Sequence, residues 1–284
     1  MGIGKDLRLR RIIDPVTDSS VMFAFSHGTS TPEVMAGLED PIGMYRKVRD
    51  GGATCAFLAP GLLQPMSPVI AESPEVGIVA KITSTATRNE KPHQERLIAS
   101  VEHCAKLGVD GVVALLPFAP ENKPDMIELA GRIGEACREF DLPFVAEAEF
   151  PNAYYTDGKD YQSEWGLPYL KHTARLCVEL GADVVKTNWL GSAEQFAPIV
   201  DCLPGTPVIV AGGSRESDLE LLRKVAAARA VGAAGTSVGR NIFQHKNPTA
   251  ITAALRAVVT GAQTPEEAVE GNPELSADEI LVAV

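Results

Sequence analysis

The strongest constraint on this chain is a rhythm: a short apolar run followed by an amphipathic one, repeated along most of its 284 residues. Eight runs read as strands, VMFAFSHG (21–28), CAFLAPGLL (55–63), VGIVAKIT (76–83), GVVALLPF (111–118), PFVAEAEF (143–150), DVVKTNW (183–189), PVIVAGG (207–213) and AAGTSVG (233–239). Between most of them lie stretches with apolar residues at i, i+3 and i+4: HQERLIASVEHCAKLG, PDMIELAGRIGEACREF, LPYLKHTARLCVELG and SDLELLRKVAAARAVG. Several of these end in Gly followed by "VD", "AD" or "AA", a helix stop leading into the next strand. Eight strand–helix units in about 250 residues are the number and size of a (β/α)8 barrel. The expected fold class is therefore α/β, a single TIM-barrel domain spanning 1–284. A doubly wound open sheet is the alternative. Two linked domains are disfavoured, since no Pro/Gly/Ser-rich linker interrupts the rhythm.

Three stretches depart from it. Residues 64–75, QPMSPVIAESPE, are too rich in proline for a long helix. About the first 20 residues read as an N-terminal extension. The acidic stretch of about 262–284 reads as a short helix followed by a loosely held or oligomer-contacting tail.

Charge narrows the function. A formal net charge of −11 disfavours nucleic acid or an anionic membrane as partner, because both reward clustered Lys and Arg. The opening MGIGKDLRLRRII lacks the apolar core of a signal peptide, Asp6 breaks the myristoylation pattern, and no apolar run is long enough to span a bilayer. Cys55, Cys104, Cys137, Cys177 and Cys202 are scattered without CxxC spacing and read as reduced core residues of a cytoplasmic protein.

In a barrel, chemistry gathers at the C-terminal ends of the strands, where this chain keeps its polar residues. Strand alternation puts Val184, Lys186 and Asn188 on one face of the sixth strand and Glu147 and Glu149 on one face of the fifth. The opposite face of the fifth strand, Phe144, Ala146, Ala148 and Phe150, is apolar and suits the helices, so the glutamates point inward. Lys81 and Thr83 repeat the pattern in the third strand. Two lysines and two glutamates thus converge on one interior. They can form a buried ion-pair network. Alternatively, Lys186 is a Schiff-base nucleophile whose amine is freed by burial or by a neighbouring cation such as Lys81.

A second constellation closes the chain. The seventh strand ends in Gly212-Gly213-Ser214 and the eighth in Gly239-Arg240, the pair of loops that commonly binds phosphate in this barrel. Glycines let backbone N–H groups approach an anion, and Arg240 adds a charged donor. His27 follows the first strand; a lone histidine there is a structural hydrogen-bonding residue or a ligand. His93, His103, His172 and His245 lack metal-ligand spacing.

The stretches VVKTNW, PVIVAGGS and GAAGTSVGRNIFQHKNP, with RIIDPVT and GLEDP near the start, resemble the archaeal-type class I fructose-bisphosphate aldolase family. That group also includes 2-amino-3,7-dideoxy-threo-hept-6-ulosonate synthase and the phospho-autoinducer-2 thiolase, and is related to deoxyribose-phosphate and tagatose-bisphosphate aldolases. The resemblance runs from about Arg8 to Ala268. It implies a barrel, a Schiff base on Lys186, phosphate held by the Gly213/Ser214 and Gly239/Arg240 turns, no metal or other cofactor, and a homo-oligomer.

Two departures bear on mechanism. The family has Asp-His-Gly at the end of the first strand, where this chain has Ser26-His27-Gly28. Its aldolases carry Tyr-Pro-Arg-Gly after the fifth, where this chain has Glu149-Phe150-Pro151-Asn152. Glu147, with Glu149 second, is the expected replacement acid/base, its carboxyl raised towards neutrality by desolvation. Asn188 and Ser26 would orient hydroxyls. YYTDGKDYQSEW (154–165) reads as a substrate-covering loop or an oligomer contact. The expected activity is a class I aldolase acting on a phosphorylated keto sugar. A transferase of the same fold, thiolase-like or transaldolase-like, and a non-catalytic phospho-sugar-binding protein remain alternatives.

Overall fold

A computed structural model describes residues 2–29, 34–84, 95–118, 122–150 and 166–281. Eight parallel strands close into a barrel: β1 (Ser20–Ala24), β2 (Cys55–Leu58), β3 (Gly77–Lys81), β4 (Gly111–Leu115), β5 (Phe144–Ala148), β6 (Val184–Thr187), β7 (Val208–Ala211) and β8 (Gly235–Val238). β8 pairs back onto β1, with Val21 opposite Thr236 and Met22 opposite Ser237. Side chains alternate as the sequence implies. Val21, Phe23, Ala56, Leu58, Ile78, Ala80, Phe144, Ala146 and Val185 join the apolar layer shared with the surrounding helices. Met22, Ala24, Phe57, Val79, Val113, Val145, Val184 and Ile209 fill the interior.

The first residues are part of the core. Helix Ile3–Ile12 carries Ile12 into the barrel interior, with Ile13 just beyond it and Leu9 packed alongside, and so seals the N-terminal end. Two aspartates fasten it. Asp183 accepts from Phe144 N (2.8 Å) and pairs with Lys5 at 2.8 Å; Asp110 accepts from Ile78 N (2.8 Å) and from Arg11 Nε (2.6 Å). Both aspartates follow the glycine helix stops seen in the sequence. Gly108, Gly181 and Gly232 have φ of +79°, +104° and +94°, a backbone that L side chains rarely adopt.

Two local expectations fail. The proline-rich second connection is helical over Pro60–Ala71, with Pro65 and Pro68 inside it. Pro60 sits at the tolerated first turn, and burial of Leu63, Met66 and Val69 on one face offsets the backbone hydrogen bonds the inner prolines forgo. Of the stretch HQERLIAS, the described residues 95–100 do not extend the next helix. Arg96–Leu97 pairs antiparallel with Thr83–Ser84, and Ser100 caps a helix restricted to Val101–Lys106.

The end of the chain is held rather than loose as far as Leu281. Thr264 and Glu267 form a capping box on helix Pro265–Glu270, Ser276 N donates to Asp218, and Arg215 donates to Leu281 O (2.9 Å). The five cysteines are free thiols, four of them buried. Among the described residues, no helix is long and apolar enough to cross a membrane.

Candidate active site

β5 and β6 pair so that Glu147 lies opposite Lys186, both facing inward. Lys186 Nζ donates to Glu147 Oε1 at 2.5 Å and lies 3.0 Å from Glu149 Oε1, while Lys81 donates to Glu147 Oε2. Lys81, Glu147, Glu149 and Lys186 are 4, 6, 8 and 8% exposed, so these charges sit where water screens them little. The four residues expected to carry the chemistry therefore form one cluster.

The state of Glu147 differs from expectation. Burial alone would raise its carboxyl, but the Lys186 and Lys81 ammoniums on its two oxygens outweigh burial and hold it below the ordinary glutamate range. It is an ionised bridge between two cations, not a desolvated acid poised near neutrality. Lys81 accordingly reaches Lys186 through this carboxylate.

Asn188 Oδ1 accepts from Phe150 N (3.0 Å), which commits its oxygen to holding the backbone beyond β5. Ser26 opens a 3-10 turn, Ser26–Thr29, at the end of β1. His27 packs edge-on against Phe243 and beneath Gly239, where a Cβ would lie 2.4 Å from its Cε1. Gly239 is thus a glycine because of His27. Although His27 is partly exposed, its Nδ1 is shielded, and burial together with the Arg240 and Lys186 cations pushes its pKa down to about 3. It is a neutral, packed ring.

The two glycine turns do meet. Gly212 N donates to Ser237 O (2.8 Å), continuing the ladder, so this N–H is spent. The next three carbonyls are each held from one side: Gly212 O by Lys224 (2.5 Å), Gly213 O by Arg240 (3.0 Å) and Ser214 O by Asn241 (2.9 Å). In a trans peptide the C=O and N–H point oppositely, so the N–H groups of Gly213, Ser214 and Arg215 are turned the other way. Those three N–H groups make no hydrogen bond among the described residues, and Gly213, at φ +77°, gives the turn its cradle shape.

Sequence reasoning missed Lys224, which sits on a helix-like stretch with no motif to mark it, and Asn241, which lies within GAAGTSVGRNIFQHKNP next to Arg240 but was given no role. It also missed Ser237, buried on β8 opposite Met22 and Ala211, whose Oγ makes no hydrogen bond among the described residues. The segment 154–165 lies outside the described residues. Among those described, no three His, Cys, Asp or Glu side chains converge as metal ligands would.

The chain is 32% identical to the 2-amino-3,7-dideoxy-D-threo-hept-6-ulosonate synthase of Halobacterium salinarum, over 93% of this chain and 95% of that one. It is 28% identical to the class 1 fructose-bisphosphate aldolase of the same species, over 85% and 89% of the two chains. Among solved structures it superimposes on an archaeal fructose 1,6-bisphosphate aldolase with a TM-score of 0.74 at 25% identity, covering 90% of this chain and 99% of that one. The description "DeoC/LacD family aldolase" matches residues 20–245, from β1 to the segment just past β8, and the chain belongs to that family.

Proposed function

We propose that this aldolase is of the Schiff-base class, with Lys186 as nucleophile and a phosphorylated keto compound as substrate. The observation that carries the reading is the placement of the Lys186 amine inside the barrel, against the carboxylates of Glu147 and Glu149. Facing carboxylates favour the ammonium form, so attack requires that proton to leave; both oxygens of Glu147 are already held by ammoniums, which leaves Glu149, 3.0 Å away, as the acceptor. The freed amine adds to the ketone carbon to give a carbinolamine, and loss of water leaves an iminium whose positive nitrogen is an electron sink. A base removes the proton from the hydroxyl two carbons from the former carbonyl carbon, the carbon–carbon bond breaks, and its electrons pass into the enamine. Reprotonation and hydrolysis release the keto product and restore Lys186.

Glu149 is the better placed of the two for the hydroxyl proton. Among the described residues it makes only the Lys186 ion pair, whereas both oxygens of Glu147 are occupied by lysines. The N–H groups of Gly213, Ser214 and Arg215, with Arg240, suit the phosphate, which supplies binding energy away from the reacting carbons. Ser26 at the mouth of β1 is a contact for a substrate hydroxyl.

The test is intact mass after borohydride reduction with dihydroxyacetone phosphate and, separately, other small keto-phosphates. A mass gain in the wild type that is absent from Lys186→Met supports the reading. No adduct with any of them refutes it. The relative named as a synthase favours one second reading, transfer of the enamine to an acceptor without release of free aldehyde, and a product assay with and without added acceptor aldehyde separates the two.

A further inference from the structure

Lys224, on helix Asp218–Ala230, lies beneath the Gly212–Gly213 turn with its side chain 9% exposed. Its Nζ donates to Gly212 O at 2.5 Å and pairs with Glu216, and a Cβ built on Gly213 would lie 3.8 Å from it. We infer that Lys224 is a positioning residue of the anion site and that Glu216 is the counter-charge limiting how much of its field reaches the anion. The inference rests on the phosphate reading of that turn.

The warrant is the geometry of one peptide unit. A cation on the oxygen of the Gly212–Gly213 peptide fixes its orientation and polarises it, so the opposite end, Gly213 N–H, becomes a stronger donor towards the open face. Arg240 does the same to the next peptide through Gly213 O. The two differ in their surroundings: the Arg240 bond to Gly213 O is exposed, whereas the Lys224 side chain is 9% exposed and has a carboxylate beside it. Burial pushes Lys224 down and Glu216 up, each opposed by its partner, so the pair is held against desolvation. A bound phosphate would add a second negative neighbour to Lys224 and would be repelled by Glu216. Glu216 therefore weakens anion binding while it neutralises Lys224 in the empty site. A purely structural clamp lacks this feature, since removing either member of a clamp loosens the turn.

The experiment measures binding of inorganic phosphate by titration calorimetry to the wild type, Lys224→Met, Lys224→Arg and Glu216→Gln. Half-saturating dihydroxyacetone phosphate in borohydride trapping is the second readout. Lys224→Met should weaken phosphate by about tenfold, Lys224→Arg should stay within about twofold of the wild type, and Glu216→Gln should tighten it by about threefold. Half-saturation should move further than the trapping plateau. A folded Lys224→Met that binds like the wild type, or a Glu216→Gln that weakens as Lys224→Met does, overturns the inference and makes the pair a clamp. A wild type that binds no phosphate overturns the anion site itself, which is a different failure from a wild type that binds and a variant that does not respond.

Discussion

Replacing Glu147 with Gln separates its two jobs, because the consequences for the amine and for turnover have opposite signs. The carboxylate lies between Lys186 (2.5 Å) and Lys81 inside the barrel, so the neutral amide leaves two buried ammoniums facing each other. Removing one partner of a buried charge cluster costs about 3–5 kcal/mol, which in a chain of this size lowers Tm by about 5–8 °C. Loss of an opposite charge at this range should let Lys186 shed its proton more easily, shifting the profile of borohydride trapping to lower pH. Turnover should nonetheless fall by about 10²-fold, because the carboxylate that holds the Lys186 amine in place is gone. Stability carries its own pH signature. The folded carboxyl is held below its usual 4.5, so its stabilisation is full above about that pH and is lost as pH falls below it. The wild-type advantage over Glu147→Gln, measured by denaturant unfolding, should therefore be constant near neutrality and shrink in acid. A variant within about 1 kcal/mol of the wild type, with its trapping profile unmoved, would refute the reasoning.

Three further outcomes follow from contacts elsewhere. Asp183→Ala should cost about 3–4 kcal/mol in denaturant unfolding, because it strands Lys5 and leaves Phe144 N without its acceptor at the barrel floor. Gly239→Ala should destabilise by about 1–3 kcal/mol through the clash with His27, and a double variant with His27→Ala should recover most of that loss, read from the thermodynamic cycle. Ser237→Ala should leave stability unchanged or raise it by about 1 kcal/mol, since the hydroxyl is buried without a protein partner.

The sequence made the barrel and the charged cluster legible because both follow from periodicity. Alternation alone put Glu147, Glu149, Lys81 and Lys186 on inward faces. What alternation does not contain is who pairs with whom, and the doubly paired Glu147 reverses the expected direction of its pKa. Pairing also explains why Lys224 and Asn241 went unseen: in a helical pattern each reads as an ordinary polar position, and only the turn folded over them reveals what they hold. The helix Pro60–Ala71 failed for a related reason, since local propensity forbade what burial of Leu63, Met66 and Val69 supports. The aspartates of GVD and GAD were read as part of a helix-to-strand junction. Their partners, Arg11 and Lys5, lie 99 and 178 residues away, beyond what a local pattern can show.

Lys186, and not its neighbour Lys81, is the residue proposed to carry the covalent intermediate. Reduction with borohydride in the presence of dihydroxyacetone phosphate, followed by proteolysis and tandem mass spectrometry, locates the adduct on the chain. Modification of the peptide containing Lys186, with Lys81 unmodified, is the expected result. An adduct on Lys81, or one that survives in Lys186→Met, would contradict it.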